Sequence, residues 1–264
     1  MEIFHTCNGI PVHIFDSRNG SKVFLFLHGY LETLYVWDDF IKYLPKDVRA
    51  ISLDIPGHGL SGTSKDVNSM AFCADTLKVV LEKLCIKEKV VIIGHSMGGY
   101  IALEALKRYP DLFSALVLMH SAPFADSEEK KAEREREIEL IRQNKLIQIV
   151  KLAIPKMFAC SNLARLEDKI MELTETAEIH DREGIIASIE GMKIREDNSA
   201  TLSSSPVPII LFQGMHDNYI PNERVDEMAG MFPAMQIIKL QNSGHAGFIE
   251  EPEFVAERLL NLLP

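Results

Sequence analysis

A serine flanked by glycines, set between a strand-like run and a helix-like run, constrains this chain more than any other feature. Lys89-Val90-Val91-Ile92-Ile93 is a β-branched run of the kind buried in a sheet. Gly94-His95-Ser96-Met97-Gly98 follows, and residues 99–108 then place apolar side chains at helical spacing. A turn this tight holds its central residue in a strained backbone conformation, and side chains at the flanking positions would strike the strand and helix it joins. The pattern predicts a nucleophile elbow, with Ser96 at the tip.

The rest of the chain alternates in the same way. Strand-like runs cover residues 3–7, 11–16, 23–27, 48–55, 115–119, 207–212 and 236–240, and helical patterns cover 34–44, 69–84, 221–231 and 252–263. Such alternation predicts a mostly parallel sheet wrapped by helices on both faces, with the first two strands antiparallel to each other. From residue 122 to 198 no strand run occurs. Apolar stripes at Ile138, Ile141, Leu146, Ile149 and Val150, then at Leu166, Ile170 and Leu173, predict an all-helical insertion. The expected division is a core over 1–121 and 199–264, interrupted by helices over 122–198.

At 264 residues the chain suits one large α/β domain with a modest insertion. Lys+Arg 28 against Asp+Glu 38 gives a net charge of −10, which argues against a nucleic-acid or anionic-membrane partner. Cys7, Cys73, Cys85 and Cys160 are scattered without a CxxC, so reduced packing cysteines are expected rather than disulfides or zinc. No basic stretch followed by an apolar core opens the sequence, and no run approaches eighteen apolar residues. The expectation is a cytoplasmic protein, monomer or homodimer, acting on a small molecule without metal or cofactor.

A serine hydroxyl needs a base to take its proton, and the base needs an orienting carboxylate. Reactive groups on such a sheet gather beyond the C-terminal ends of its strands. Two late strand runs end suitably. Residues 207–212 lead into Gln213-Gly214-Met215-His216-Asp217, and 236–240 lead into Gln241-Asn242-Ser243-Gly244-His245. Asp217 is therefore the expected acid and His245 the expected base. Asp54 reads as a turn-ordering residue. His28, His58, His95 and His216 read as bonding to neighbouring backbone. The oxyanion donors expected are the backbone N–H groups of Met97, next to the nucleophile, and of Tyr30, in the loop after residues 23–27. Leu31, His120, Phe124, Tyr219 and Phe248, with Tyr30 and Met97, are expected near the pocket wall, although plain packing accounts for each equally well.

Five ordered motifs carry a resemblance to the α/β-hydrolase superfamily: Leu27-His28-Gly29-Tyr30, Leu53 to Ser61 with Asp54 and Pro56-Gly57-His58-Gly59, Gly94 to Gly99, Gly214-Met215-His216-Asp217, and Ser243-Gly244-His245. The resemblance implies a Ser96–His245–Asp217 triad under a helical cap over 122–198. Ser96 stands where haloalkane dehalogenases and epoxide hydrolases carry Asp, which argues against those chemistries. Hydrolysis of a small carboxylic ester, thioester or lactone is the leading expectation. The alternatives are carbon–carbon bond hydrolysis or a pyruvate elimination as in menaquinone synthesis with the same triad, and a non-catalytic hydrolase-like receptor.

Overall fold

A computed structural model describes residues 1–64 and 66–263; Lys65 and Pro264, both assigned to the core by sequence, lie outside the described residues. Eight strands form one sheet: β1 (Glu2–Cys7), β2 (Ile10–Asp16), β3 (Lys22–Leu27), β4 (Val48–Leu53), β5 (Val90–His95), β6 (Phe113–Met119), β7 (Ile209–Gly214) and β8 (Gln236–Leu240). Their spatial order is β1-β2-β4-β3-β5-β6-β7-β8. β1 and β2 run antiparallel, as do β2 and β4, and every later pair is parallel. The central strands are buried on both faces, which is why they read as continuous apolar runs instead of alternating ones.

Eleven α-helices lie among the described residues: α1 (Asp38–Ile41), α2 (Met70–Lys83), α3 (Met97–Arg108), α4 (Glu128–Arg142), α5 (Leu146–Lys156), α6 (Glu167–Glu178), α7 (Arg182–Lys193), α8 (Ser199–Ser203), α9 (Asn222–Met231), α10 (Gly247–Glu250) and α11 (Pro252–Leu262). Their starts follow capping chemistry. Ser69, Ser127 and Asp181 each accept the N–H three residues on, at 3.1, 3.2 and 2.8 Å, and so satisfy one orphan donor of α2, α4 and α7. No helix among the described residues is long and apolar enough to cross a membrane.

Two local expectations change. Residues 34–44 do not form one helix: a 3-10 turn (Leu34–Trp37) precedes the single turn of α1. The Leu34 N–H is drawn to Asp54 Oδ1 at 2.8 Å, and Pro45 disfavours helical backbone just beyond. Pro221 caps α9 from outside instead of filling its first turn, with ψ of 153°.

Between β6 and β7 the described residues are helices and turns. The helical run extends to α8, past the expected boundary, and α8 packs on α3 of the sheet layer. The two ends of the run are joined, Asn198 N–H donating to Pro123 O at 2.8 Å. Asp126 is bound by both Arg134 of α4 and Arg195 beyond α7, which ties the first helix to the last part of the run. Gly57 and Gly184 meet backbone to backbone, so α7 rests directly on the loop after β4.

Candidate active site

Parallel register brings the reactive positions to one edge. Leu27 pairs with Gly94, His95 with Met119, Met119 with Phe212 and Gly214 with Leu240, so the loops after β3, β5, β6, β7 and β8 emerge side by side. Ser96 stands at the turn from β5 to α3 with φ 48° and ψ −112°. A non-glycine residue in such a conformation costs about 1–3 kcal/mol, so the surroundings must hold it there. They do. The Ser96 N–H donates to Met119 O at 2.9 Å, and its carbonyl accepts from Gly99 N at 2.9 Å and Ser121 Oγ at 2.8 Å. A Cβ at Gly94 would overlap Gly98 O, one at Gly98 would overlap Leu27 O, and one at Gly99 would overlap Ser121.

Asp217 and His245 meet across the adjacent loops, with His245 Nδ1 2.8 Å from Asp217 Oδ2. Gln213 Nε2 donates to the same oxygen at 2.8 Å and His120 Nδ1 at 3.3 Å, while Oδ1 accepts the Tyr219 and Ile220 N–H groups at 2.8 and 3.0 Å. Five donors thus converge on one carboxylate. Burial alone would lift its pKa; the charge of His245 and the bonds from His120 and His245 outweigh that and hold the carboxyl far below its ordinary range. His120 is neutral, because burial drives its pKa down to about 4. Its Nε2 accepts the Gly247 N–H at 3.0 Å, the shortest of its contacts, which puts the ring proton on Nδ1, where Asp217 Oδ2 and the Gly214 N each lie 3.3 Å away.

Ser96 and His245 line one cavity of about 390 Å³, and no hydrogen bond joins Ser96 Oγ to the imidazole in this conformation. The backbone N–H groups of Tyr30 and Met97 donate to no acceptor among the described residues, and Met97 opens α3, where the helix dipole favours negative charge. Tyr30, Leu31 and Tyr219 line the cavity. Four expected wall residues do not: the buried Met97 side chain, Phe248, His120 and Phe124. Phe248 turns into the core, stacked on Trp37 at 4.3 Å between ring centres and edge-on to His95 at 5.0 Å. His120 sits behind Asp217. Phe124 lies under the Arg224 guanidinium at 4.7 Å. The wall they were expected to supply comes from Ile149, Ala153, Met157 and Met192 of the helical run, with Lys130, Arg134 and Glu137 beside them. The lining thus carries charged side chains beside the apolar ones.

A family profile described as the alpha/beta hydrolase fold matches residues 22–137. A thermophilic esterase from Thermogutta terrifontis superposes with a TM-score of 0.92 at 26% identity, covering 99% of this chain and 97% of that one. The chain belongs to the α/β-hydrolase superfamily. A provisionally named 2-succinyl-6-hydroxy-2,4-cyclohexadiene-1-carboxylate synthase of Bacillus subtilis is 27% identical over 90% of this chain and 88% of its own length. Monoacylglycerol lipase ABHD6 of Bos taurus is 25% identical over 94% of this chain and 77% of its own length.

In this α/β-hydrolase several site residues escape a sequence reading. Gln213 ends a strand and looks like an edge polar residue, yet it donates to Asp217. Glu250 is buried and accepts from Ala159 N at 2.8 Å, Asn162 Nδ2 at 2.8 Å and Gly244 N at 2.6 Å, which ties the His245 loop to the helical run. Asp54 orders its turn as expected, accepting from Leu34 N and from Leu60 N at 2.9 Å. His28 bonds to neighbouring backbone at both ring nitrogens, whereas His95 does not: one of its partners is Glu32.

Proposed function

We propose that this α/β-hydrolase is a serine hydrolase of small carboxylic esters, thioesters or lactones, with Ser96 as nucleophile, His245 as base and Asp217 as orienting acid. The observation that carries the reading is the Asp217–His245 pair, 2.8 Å apart, opening on the same cavity as a serine on a strained turn. His245 Nε2 takes the Ser96 proton as Oγ attacks the substrate carbonyl, and the Tyr30 and Met97 N–H groups stabilise the oxyanion. The leaving alcohol departs with the proton from His245. Water, deprotonated by the same nitrogen, then cleaves the acyl-enzyme and restores Ser96. Catalytic hydrogen bonds are often loose in free enzymes and tighten on binding, as the Ser96–His245 contact must here.

The helical run over 122–198 acts in this reading as a cap that supplies the far wall of the pocket and excludes bulk water. Its apolar lining, Ile149, Ala153 and Met157, suits a small apolar acyl group. The test combines two measurements: a fluorophosphonate probe must label Ser96, and a panel of nitrophenyl esters of graded acyl length, with thioesters and lactones, must show burst-phase turnover. Likeness to the Bacillus subtilis synthase favours a second reading, elimination or carbon–carbon cleavage with the same triad. Labelled enzyme without ester turnover would select it.

A further inference from the structure

The residue before Ser96 is held in an arrangement that fixes its charge. His95 has no exposed surface, and Glu32, in the loop after β3, is 2% exposed. His95 Nδ1 lies 2.8 Å from Glu32 Oε2, and its Nε2 lies 2.8 Å from the carbonyl oxygen of His245. The carbonyl oxygen is an acceptor only, and so is the Glu32 carboxylate in its ionised form, which its lowered pKa favours. A neutral imidazole carries one N–H and would press a lone pair against one of them, so with Glu32 ionised both contacts are hydrogen bonds only if the ring is an imidazolium. The Glu32 carboxylate supplies the countercharge that makes a buried cation tolerable.

The pair sits where three parts of the site join. Glu32 Oε2 also accepts the N–H of Gly29, the residue before Tyr30. A Cβ on Gly29 would lie 2.8 Å from His95 Nδ1, so only glycine admits the ring so close. His95 leads directly into Ser96, and its far nitrogen holds the backbone of His245. We propose that Glu32 and His95 form a buried carboxylate–imidazolium pair that positions the Tyr30 N–H and the His245 loop about Ser96. Its catalytic consequence rests on the hydrolase reading; its charge state does not. These are positioning residues, acting through Tyr30 and His245.

Burial opposes both charges, but Glu32 raises the pKa of His95 and His95 lowers that of Glu32. The other titratable groups facing the pair are neutral His120, just past β6, with ring centres 5.9 Å apart, His245, 5.1 Å away, with the Asp217 charge beyond it, and His28 just past β3, whose own pKa burial lowers. Because the His95 pKa is raised and that of Glu32 lowered, the pair is intact between the two values and is lost as pH rises through the first or falls through the second.

Histidine-ring 15N NMR on the full chain tests the charge directly. At pH 7.5 both His95 ring nitrogens are expected to be protonated in the wild type, with one proton lost in Glu32→Gln. Glu32→Gln is expected to lower kcat for ester turnover about 100-fold, the scale of a misplaced catalytic group, with KM within about twofold and the alkaline limb of the pH profile moved to lower pH. Glu32→Asp should recover part of kcat. A neutral His95 in the wild type, or a folded Glu32→Gln protein with wild-type kcat, overturns the proposal. If Glu32→Gln does not fold, the wild-type ring spectrum alone decides. Failure of the wild type to react with a fluorophosphonate would remove the hydrolase reading while leaving the ring spectrum to decide the pair.

Discussion

The sheet edge and the helical run hold their side chains by different means. At the sheet edge, backbone does much of the holding, beside side chains such as Gln213 and Ser121: Ser96 is fixed by Met119 O and Gly99 N, and Asp217 by the Tyr219 and Ile220 N–H groups. Backbone donors are set by strand register, so the geometry follows from the fold. Much of the helical run instead meets the core through side chains. Tyr30 Oη donates to Glu137 at 2.8 Å, Tyr219 Oη to Ala153 O at 2.9 Å, and Asn218 Nδ2 to Lys156 O at 3.0 Å. Two points break the pattern. Ala187 O in α7 accepts the Asn68 N–H at 2.9 Å, and just past α5 Met157 O accepts the His245 N–H at 2.6 Å. The base of the run is therefore anchored like the core, and the α4 side is held more lightly. The lesson is that substitutions at the sheet edge should alter chemistry, while those on the α4 side should alter access and selectivity.

The largest effect expected is for Ser96→Ala: kcat falls by roughly six orders of magnitude if the serine works as in other serine hydrolases, with substrate binding nearly unchanged. Burst kinetics and calorimetric binding of a slow ester check it. A loss of less than tenfold would move the nucleophile elsewhere and collapse the contrast between the two regions. Asp217→Asn comes next, with about a 10⁴-fold loss in kcat, by analogy with a well-studied serine protease. The amide cannot accept from all five donors, so thermal stability should fall too. Near wild-type kcat would make another carboxylate the partner of His245.

How much of this was legible depends on whether a residue's partners are local. The elbow was readable because its glycines and strand and helix flanks are contiguous with Ser96. Asp217 and His245 were readable because each directly follows a strand run, and strand ends converge. Glu32 was not: its partner His95 lies 63 residues away, and a single acid in a loop has no periodicity to mark it. Phe248 was misplaced for a related reason. Nearness to His245 in sequence suggested the pocket, but α10 turns the ring under the site onto Trp37. The all-helical character of 122–198 was plain from its stripes. The side of the run that meets the cavity was not, since apolar spacing does not distinguish a face against the core from a face lining a hollow.

A smaller effect is expected from acid at the seam between the regions. His28, His58 and His180 pack ring to ring, 5.2 Å and 5.3 Å apart, and His180 alone comes from the helical run. Burial depresses all three, His58 well below its ordinary value and His180 to about 4. The unfolded chain binds protons near pH 6.5 that the folded seam refuses, so stability falls as pH drops from about 6.5 toward 4. Hydrogen exchange at pH 7.5 and 5 should show α7 and the end of α6 loosening before the central strands. Uniform loosening would mean the seam is no weaker than the sheet.

Tyr30 belongs to both regions, and Tyr30→Phe divides them with the smallest expected change. Its backbone N–H is the proposed oxyanion donor, which the substitution keeps. Its hydroxyl ties the core loop to Glu137 of α4, which the substitution removes. A half-buried hydrogen bond of this kind contributes about 0.5–1.5 kcal/mol, enough to raise local opening of α4 several-fold without unfolding the protein. The kcat for a short ester should stay within about twofold, while KM falls for bulkier acyl groups and amides in residues 128–142 exchange faster. If kcat instead drops about 100-fold with no change in exchange, the Tyr30 hydroxyl takes part in the chemistry, and the division between a backbone-built site and a side-chain-latched wall fails at the residue where the two meet.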